Sequence, residues 1–305
     1  MARKDLSLTD LITLPCDNCG AETFSIRYPS TLNHKLCDSD FTVFGELGEY
    51  PQIVTCSACH LTYASPRDEG KSLIAKYNEM SVNEYLVAEA SRRLITERDA
   101  RFVKRLMNVP GRVLDIGCSA GLFLASLGTG WAKFGIEPSR AASEAARQRV
   151  PDAQIENAAV FEADLGGETF NLITMWDVIE HLDSPKAALN HIHGLLADQG
   201  RLVLVTPDIG SLTARVMGRR WPHLIRGHLY YYDTKSMQRL AKDTGFEIVS
   251  FSRYTRFFKV SYILRRIGLI ANEERMAARL GRLNLTVPIA TGDSMQVVLK
   301  KANAS

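Results

Sequence analysis

The chain has 305 residues, 46% of them hydrophobic, with 37 basic and 34 acidic side chains for a formal net charge of +3. That is enough apolar material for one large core and a small extra module. No stretch approaches the roughly 18 apolar residues of a membrane helix, and Met1 to Pro15 mixes charged with apolar residues. Neither a membrane span nor a secretion signal is read, so a cytoplasmic setting is expected, in which six cysteines serve as metal ligands or buried thiols and not as disulfides.

In chain order, the first feature is a pair of Cys-x-x-Cys turns, Cys16 to Cys19 and Cys56 to Cys59. Each turn points two thiolates at one place, and two such turns make a closed tetrahedral site of the structural zinc kind. A redox pair or buried free thiols remain open as alternatives. The 36 residues between Cys19 and Cys56 exceed ordinary ribbon spacing, and strand-like alternation over 22–28 and 41–54 is expected to fill them with hairpins. His34 and Cys37 read as loop residues. Residues 1–70 carry five basic against ten acidic side chains, which argues against nucleic acid as a partner for this module.

Residues 71–107 lack proline and glycine and read as a helix. Next, Val113, Leu114 and Ile116 form a short apolar strand that runs into a turn bracketed by Gly117 and Gly121, with a helix expected from Leu122. Such a turn brings backbone N–H groups close to a ligand. The next strand ends in Glu137, 22 positions after Asp115, where a doubly wound sheet places the carboxylate that grips ribose hydroxyls. Gly-x-x-x-Gly lacks the glycines of a pyrophosphate turn, so a nucleoside without phosphates fits better. A helix over 139–149, a strand over 153–156 and a helix over 234–244 continue the alternation. Strands at 246–251 and 295–299 close it.

Asp115-Ile-Gly-Cys-Ser-Ala-Gly121, Ile136-Glu-Pro-Ser139, Phe170 to Leu182 and Gly200 to Asp208 together resemble the motifs of class I S-adenosylmethionine-dependent methyltransferases. The resemblance covers about residues 71–305. It implies an α/β fold, a Rossmann-like seven-stranded methyltransferase sheet with helices on both faces, preceded here by the small zinc ribbon. Asp115, Gly117, Cys118, Ser119, Gly121, Glu137, Pro138 and Asp177 are the expected cofactor-binding positions, and residues 158–161 are expected near the adenine. The helical cap 71–107 would reach the methionine end through Tyr77, Tyr85 or Arg98. Ser119 and Asn171 depart from the motif's usual Gly and Asp.

Methyl transfer to a hydroxyl needs a base, which nominates His181 and His228. His181 could instead orient its turn, and in some related quinone O-methyltransferases a similar acidic-plus-histidine cluster is linked to a divalent metal. His191 and His193 read as structural. Tyr230, Tyr231 and Tyr232 are expected either as a wall against a ring-shaped acceptor or as core packing. Residues 253–293 form an insertion between the last two strands, with Val260, Ile263, Leu264 and Ile267 at helical spacing and Arg256, Lys259, Arg265 and Arg266 outside that stripe. Ten basic and three acidic residues lie between Arg253 and Lys301, which suits an anionic acceptor or a peripheral membrane contact as well as a lid or dimer face.

The expected function is transfer of a methyl group to an oxygen or carbon of a small or glycan-like acceptor, such as a sugar, nucleotide-sugar or lipid-linked glycan. A quinone or aromatic O-methyltransferase and an RNA methyltransferase with a ribbon reader are alternatives. So is a protein-docking ribbon on a catalytically silent domain.

Overall fold

A computed structural model describes residues 11–33, 48–69, 89–261, 264, 275–276, 286–289 and 291–302. His34, Cys37, Tyr77, Tyr85, Ile263, Arg265, Arg266 and Ile267 lie outside the described residues.

Three short strands open the chain: β1 (Phe24–Tyr28), β2 (Ile53–Cys56) and β3 (Thr62–Ala64). Helix α1 (Glu89–Met107) leads into β4 (Arg112–Ile116), α2 (Leu122–Ser126), β5 (Ala132–Ile136), α3 (Arg140–Arg149) and β6 (Ala153–Glu156). Then come β7 (Phe170–Trp176), α4 (Pro185–Leu195), β8 (Leu196–Pro207), α5 (Leu212–Met217) and β9 (Tyr230–Tyr231). The chain continues through α6 (Thr234–Asp243), β10 (Phe246–Arg253), β11 (Arg256–Lys259), β12 (Thr286–Ile289) and β13 (Ser294–Lys301).

The seven-stranded sheet has the order β10-β13-β8-β7-β4-β5-β6, parallel from β8 to β6, with β13 antiparallel to both of its neighbours. Its central strands are near-continuous apolar runs because helices cover both faces: Leu114, Ile173, Met175, Leu202 and Leu204 are almost wholly removed from water. Full burial of each such side chain contributes about 1.5–3 kcal/mol. The helices start where polar caps dictate. Ser139 and Ser184 accept from the backbone N–H three residues on, and Asp233 forms a reciprocal capping box with Ser236. Strand order reverses between β4 and β7, and a crevice at the carboxyl ends of those strands is where such sheets bind ligands.

The second sheet, β1-β2-β3-β9, is antiparallel and crosses the expected module boundary. Tyr230 pairs with Tyr63 and Tyr231 with Thr62, so the fourth strand of the cysteine-bearing sheet comes from the methyltransferase-like part of the chain. Arg226 reaches Asp68 through Nε at 2.7 Å and Nη2 at 2.9 Å, with both residues buried. Arg67 donates to the Asp183 carboxylate at 2.8 Å.

The insertion differs from expectation. Arg256 and Lys259 lie on β11, paired antiparallel with β12, and not beside a helical stripe. The run Arg256-Phe-Phe-Lys259 is short, carries two aromatics with β propensity and is held extended by its partner strand, and the helical spacing begins only after it.

Candidate active site

The turn after β4 is held open by its glycines. Gly117 has φ +73°, and a Cβ there would stand 2.6 Å from Val178 Cγ2; Gly121 has φ +75° and packs on Ala146. Ser119 adopts φ +49° without a glycine, and its N–H donates to Glu137 Oε2 at 2.8 Å. The other carboxylate oxygen accepts from Ser139 N–H at 2.9 Å. Glu137 thus straps the glycine turn to the start of α3. Burial raises its pKa, with the two N–H bonds acting in the opposite direction. Each carboxylate oxygen keeps lone-pair capacity for hydroxyl donors.

Asp115 is buried beneath the turn, accepting from Thr174 Oγ1 at 2.6 Å, and burial lifts its pKa to about 7. Cys118 packs its buried thiol against Gly135, where a Cβ would meet Sγ at 2.7 Å. The Pro138 carbonyl accepts from Asn157 Nδ2 at 2.8 Å, as does that of Glu137 at 3.0 Å. Asn171 lies away from this crevice, where its Oδ1 accepts from Arg112 N–H at 2.9 Å at the opposite end of β4.

Asp177, at the end of β7, has φ +56°. Its carboxylate takes both Arg256 Nη atoms, at 2.6 and 2.8 Å. Burial alone would raise its pKa, but the guanidinium outweighs this and lowers it. Arg98 lies 4.2 Å from the Tyr254 ring centroid and 5.6 Å from that of Phe257 on β11, and Tyr254 donates to the buried Asp99 at 2.7 Å, so α1 packs on β11 and the residues just before it. Sequence reasoning missed Arg256 as a site residue because its partner is 79 residues away.

Beside Asp177, Glu180, His181 and His228 bring one ligand atom each to within 4.8 Å of one another. The imidazoles meet edge to face with centroids 4.7 Å apart. Both use Nδ1 against backbone: His181 donates to the Gly227 carbonyl at 2.8 Å and His228 to the His223 carbonyl at 2.9 Å. Those bonds put the proton on Nδ1 and make Nε2 the basic nitrogen. Burial lowers both histidine pKa values, so the rings are neutral near pH 7. Among the described residues neither oxygen of Glu180 has a hydrogen-bond partner in good geometry, and burial, with Asp177 second, lifts its pKa to about 8. Two imidazoles and a carboxylate form a donor set that can hold a proton or a divalent cation.

Tyr230, Tyr231 and Tyr232 are all buried. Tyr230 donates to the Asp183 carbonyl at 2.9 Å and stacks on Tyr63 and Tyr232. Their rings fill the seam between the two sheets, the packing role that was the alternative to an acceptor wall. His191 and His193 fall on α4; His193 packs on Phe246 and Gly245.

The four cysteines converge, with Cys16 Sγ 3.4 Å from Cys59 Sγ and Cys19 Sγ 3.6 Å from Cys56 Sγ. The turns are built alike. Gly20 (φ +74°) and His60 (φ +61°) each follow the second cysteine, and each donates its N–H to the first cysteine's carbonyl. Inside the first turn, Asp17 accepts from Ser184 Oγ at 2.5 Å and from Lys186 N–H at 2.8 Å, at the N-terminus of α4. Four thiol sulfurs at this spacing match a tetrahedral soft-metal donor set.

A sequence model of the family described as "Methyltransferase domain" matches residues 87–251. A Streptomyces fradiae protein described as an uncharacterized 37.1 kDa protein in transposon TN4556 is 26% identical over 181 residues, 54% of this chain and 52% of that protein. The chain therefore spans about half the length of the curated relative it matches. Among solved structures, a chain of the complex between the Haloferax volcanii Trm112 methyltransferase activator and a methyltransferase aligns with a TM-score of 0.53. The identity there is 15%, and the alignment covers 78% of this chain and 100% of that one. A Thermotoga maritima S-adenosylmethionine-dependent methyltransferase aligns with a TM-score of 0.48 and 20% identity, covering 72% and 95%.

Proposed function

The chain belongs to the methyltransferase domain family, and we propose that it transfers a methyl group from S-adenosylmethionine to an oxygen, or a carbon, of a small or glycan-like acceptor. The observation that carries the cofactor reading is the Glu137 strap. A buried carboxylate at the end of β5 faces the open glycine turn with lone pairs left for ribose hydroxyls. S-adenosylmethionine, when bound, supplies an electrophilic methyl on a sulfonium. Asp115, Gly117, Cys118, Ser119, Gly121, Glu137 and Pro138 shape its seat, and Asp177 with Arg256 borders it.

The protein's part in the chemistry is alignment and proton removal. His181 Nε2 takes the acceptor's proton, and His228, packed edge-on against it, holds the ring in place. Removing the His181 imidazole by His181→Asn should lower kcat by about 10²–10⁴-fold and leave cofactor affinity unchanged. Because the His181 pKa is lowered, the acid limb of kcat/KM should fall below pH 6.5, the ordinary histidine value. An anionic acceptor remains part of the reading, met by basic residues other than Arg256, which Asp177 neutralises.

The four cysteines hold a structural zinc that leaves no open coordination position. Zinc content near one per chain, lost in Cys19→Ser, tests this.

The function is tested by transfer of labelled methyl into nucleic acid, protein, lipid-glycan and small-molecule fractions of a cell extract. Label in the last two pools supports the reading, and label confined to RNA overturns it. Glu137→Ala should abolish S-adenosylmethionine binding in calorimetry while the fold persists; unchanged binding removes Glu137 from the site.

A further inference from the structure

The connection from β8 to β9 carries a surface that methyl transfer does not use. Ser211 caps α5 by accepting from Ala214 N–H at 3.1 Å, and Thr213 Oγ1 donates to the Thr291 carbonyl. Ala214 and the following Trp221 are buried, with Trp221 Nε1 bonded to Asp293 at 2.9 Å. Pinned in this register, the helix turns its other side outward. Leu212 and Val216, four residues apart on one face, are 77% and 78% exposed, and Met217 beside them is 38% exposed. These are three of the eight exposed large apolar side chains among the described residues; the other five are scattered over separate segments. Arg215, Arg219 and Arg220 are exposed around them. No Asp or Glu occurs between Asp208 and Asp233.

We propose that α5 and the Gly218–Arg220 turn form a docking face for an anionic membrane surface. Leu212 and Val216 enter the boundary between headgroups and acyl chains, and the three arginines meet lipid phosphates. Charge decides between this occupant and others. A second copy seated on the same face would oppose three arginines with three more. Residues 262–290 of this chain carry five basic and two acidic residues, so they share the sign of the patch. A stable protein partner needs on the order of 800 Å² per side, far more than two aliphatic side chains and a methionine offer. The same connection carries His223, whose ring stacks on that of His228 in the site. The docking itself does not depend on which acceptor is methylated.

The test is co-sedimentation of the full chain with phosphatidylcholine vesicles, with and without phosphatidylglycerol. The expected result is sedimentation with the anionic vesicles alone, weakened by salt. Partition should fall about fivefold for each arginine replaced in Arg215→Gln, Arg219→Gln and Arg220→Gln, and be lost in Leu212→Asp/Val216→Asp. The variants should keep the wild-type thermal midpoint and cofactor affinity. Four outcomes overturn the proposal: no sedimentation with anionic vesicles, equal sedimentation with neutral ones, unchanged partition of the variants, or a lower midpoint in the aspartate double variant, which would mean that the chain itself covers these side chains. Sedimentation velocity adds a fifth, because a dimer dissolved by the same variant would make the patch a self-interface.

Discussion

Arg256 and Asp177 show how a site residue can hide in a sequence. Arg256 stands in a basic stretch that reads as a solvated face, yet its guanidinium forms a bidentate pair with Asp177. Arg256→Ala would leave Asp177 without its counter-charge. Because about a third of the Asp177 side chain is exposed, water screens the pair, and the expected cost is about 2 kcal/mol, below the 3–5 of a fully buried pair. A denaturant midpoint shift measures it. Glu180 gives a second expectation. Its pKa rises from an ordinary 4.5 to about 8 in the fold, so between those values the folded chain binds more protons than the unfolded one, and stability falls as pH rises. Glu180→Gln removes that slope: its thermal midpoint should gain on wild type from pH 5 to pH 8. If a divalent cation holds Glu180 ionised, the gain is absent and added chelator restores it.

At the scale of elements, the seam between the sheets depends on pairs that only the fold assembles. Arg226 and Asp68 are 158 residues apart and meet with both side chains buried. Arg226→Met alone should cost about 3–5 kcal/mol by leaving Asp68 uncompensated, whereas the double variant with Asp68→Leu should recover most of it. A double-mutant cycle reads the coupling. Strand β9 is the other part of the seam. Its two tyrosines and the following Tyr232 are all buried, because β3 pairs with the strand's edge, Tyr63 and Tyr232 pack on Tyr230, and Trp221 packs on Tyr231. Alternating exposure, the usual mark of a strand, is therefore absent, and the run read equally well as an acceptor wall.

At the scale of the molecule, the cysteine turns and the methyltransferase sheet are joined by a shared sheet, by two ion pairs and by Asp17 at the start of α4. Removal of the metal proposed for the four cysteines, by chelation or Cys56→Ser, should therefore lower the midpoint of one cooperative transition; an unchanged second transition in calorimetry would show the parts to be independent. The alternation of strands and helices, the glycine turn with Glu137 at 22 positions, and the paired Cys-x-x-Cys turns were legible in the sequence by itself, because each depends on local geometry: strand period, capping side chains and the reach of a tight turn. The β11–β12 pairing, the Arg256 pair, the convergence of Glu180 with two histidines and the outward face of α5 were decided by tertiary structure. Each depends on which distant segment lies opposite, and residue spacing carries no record of that.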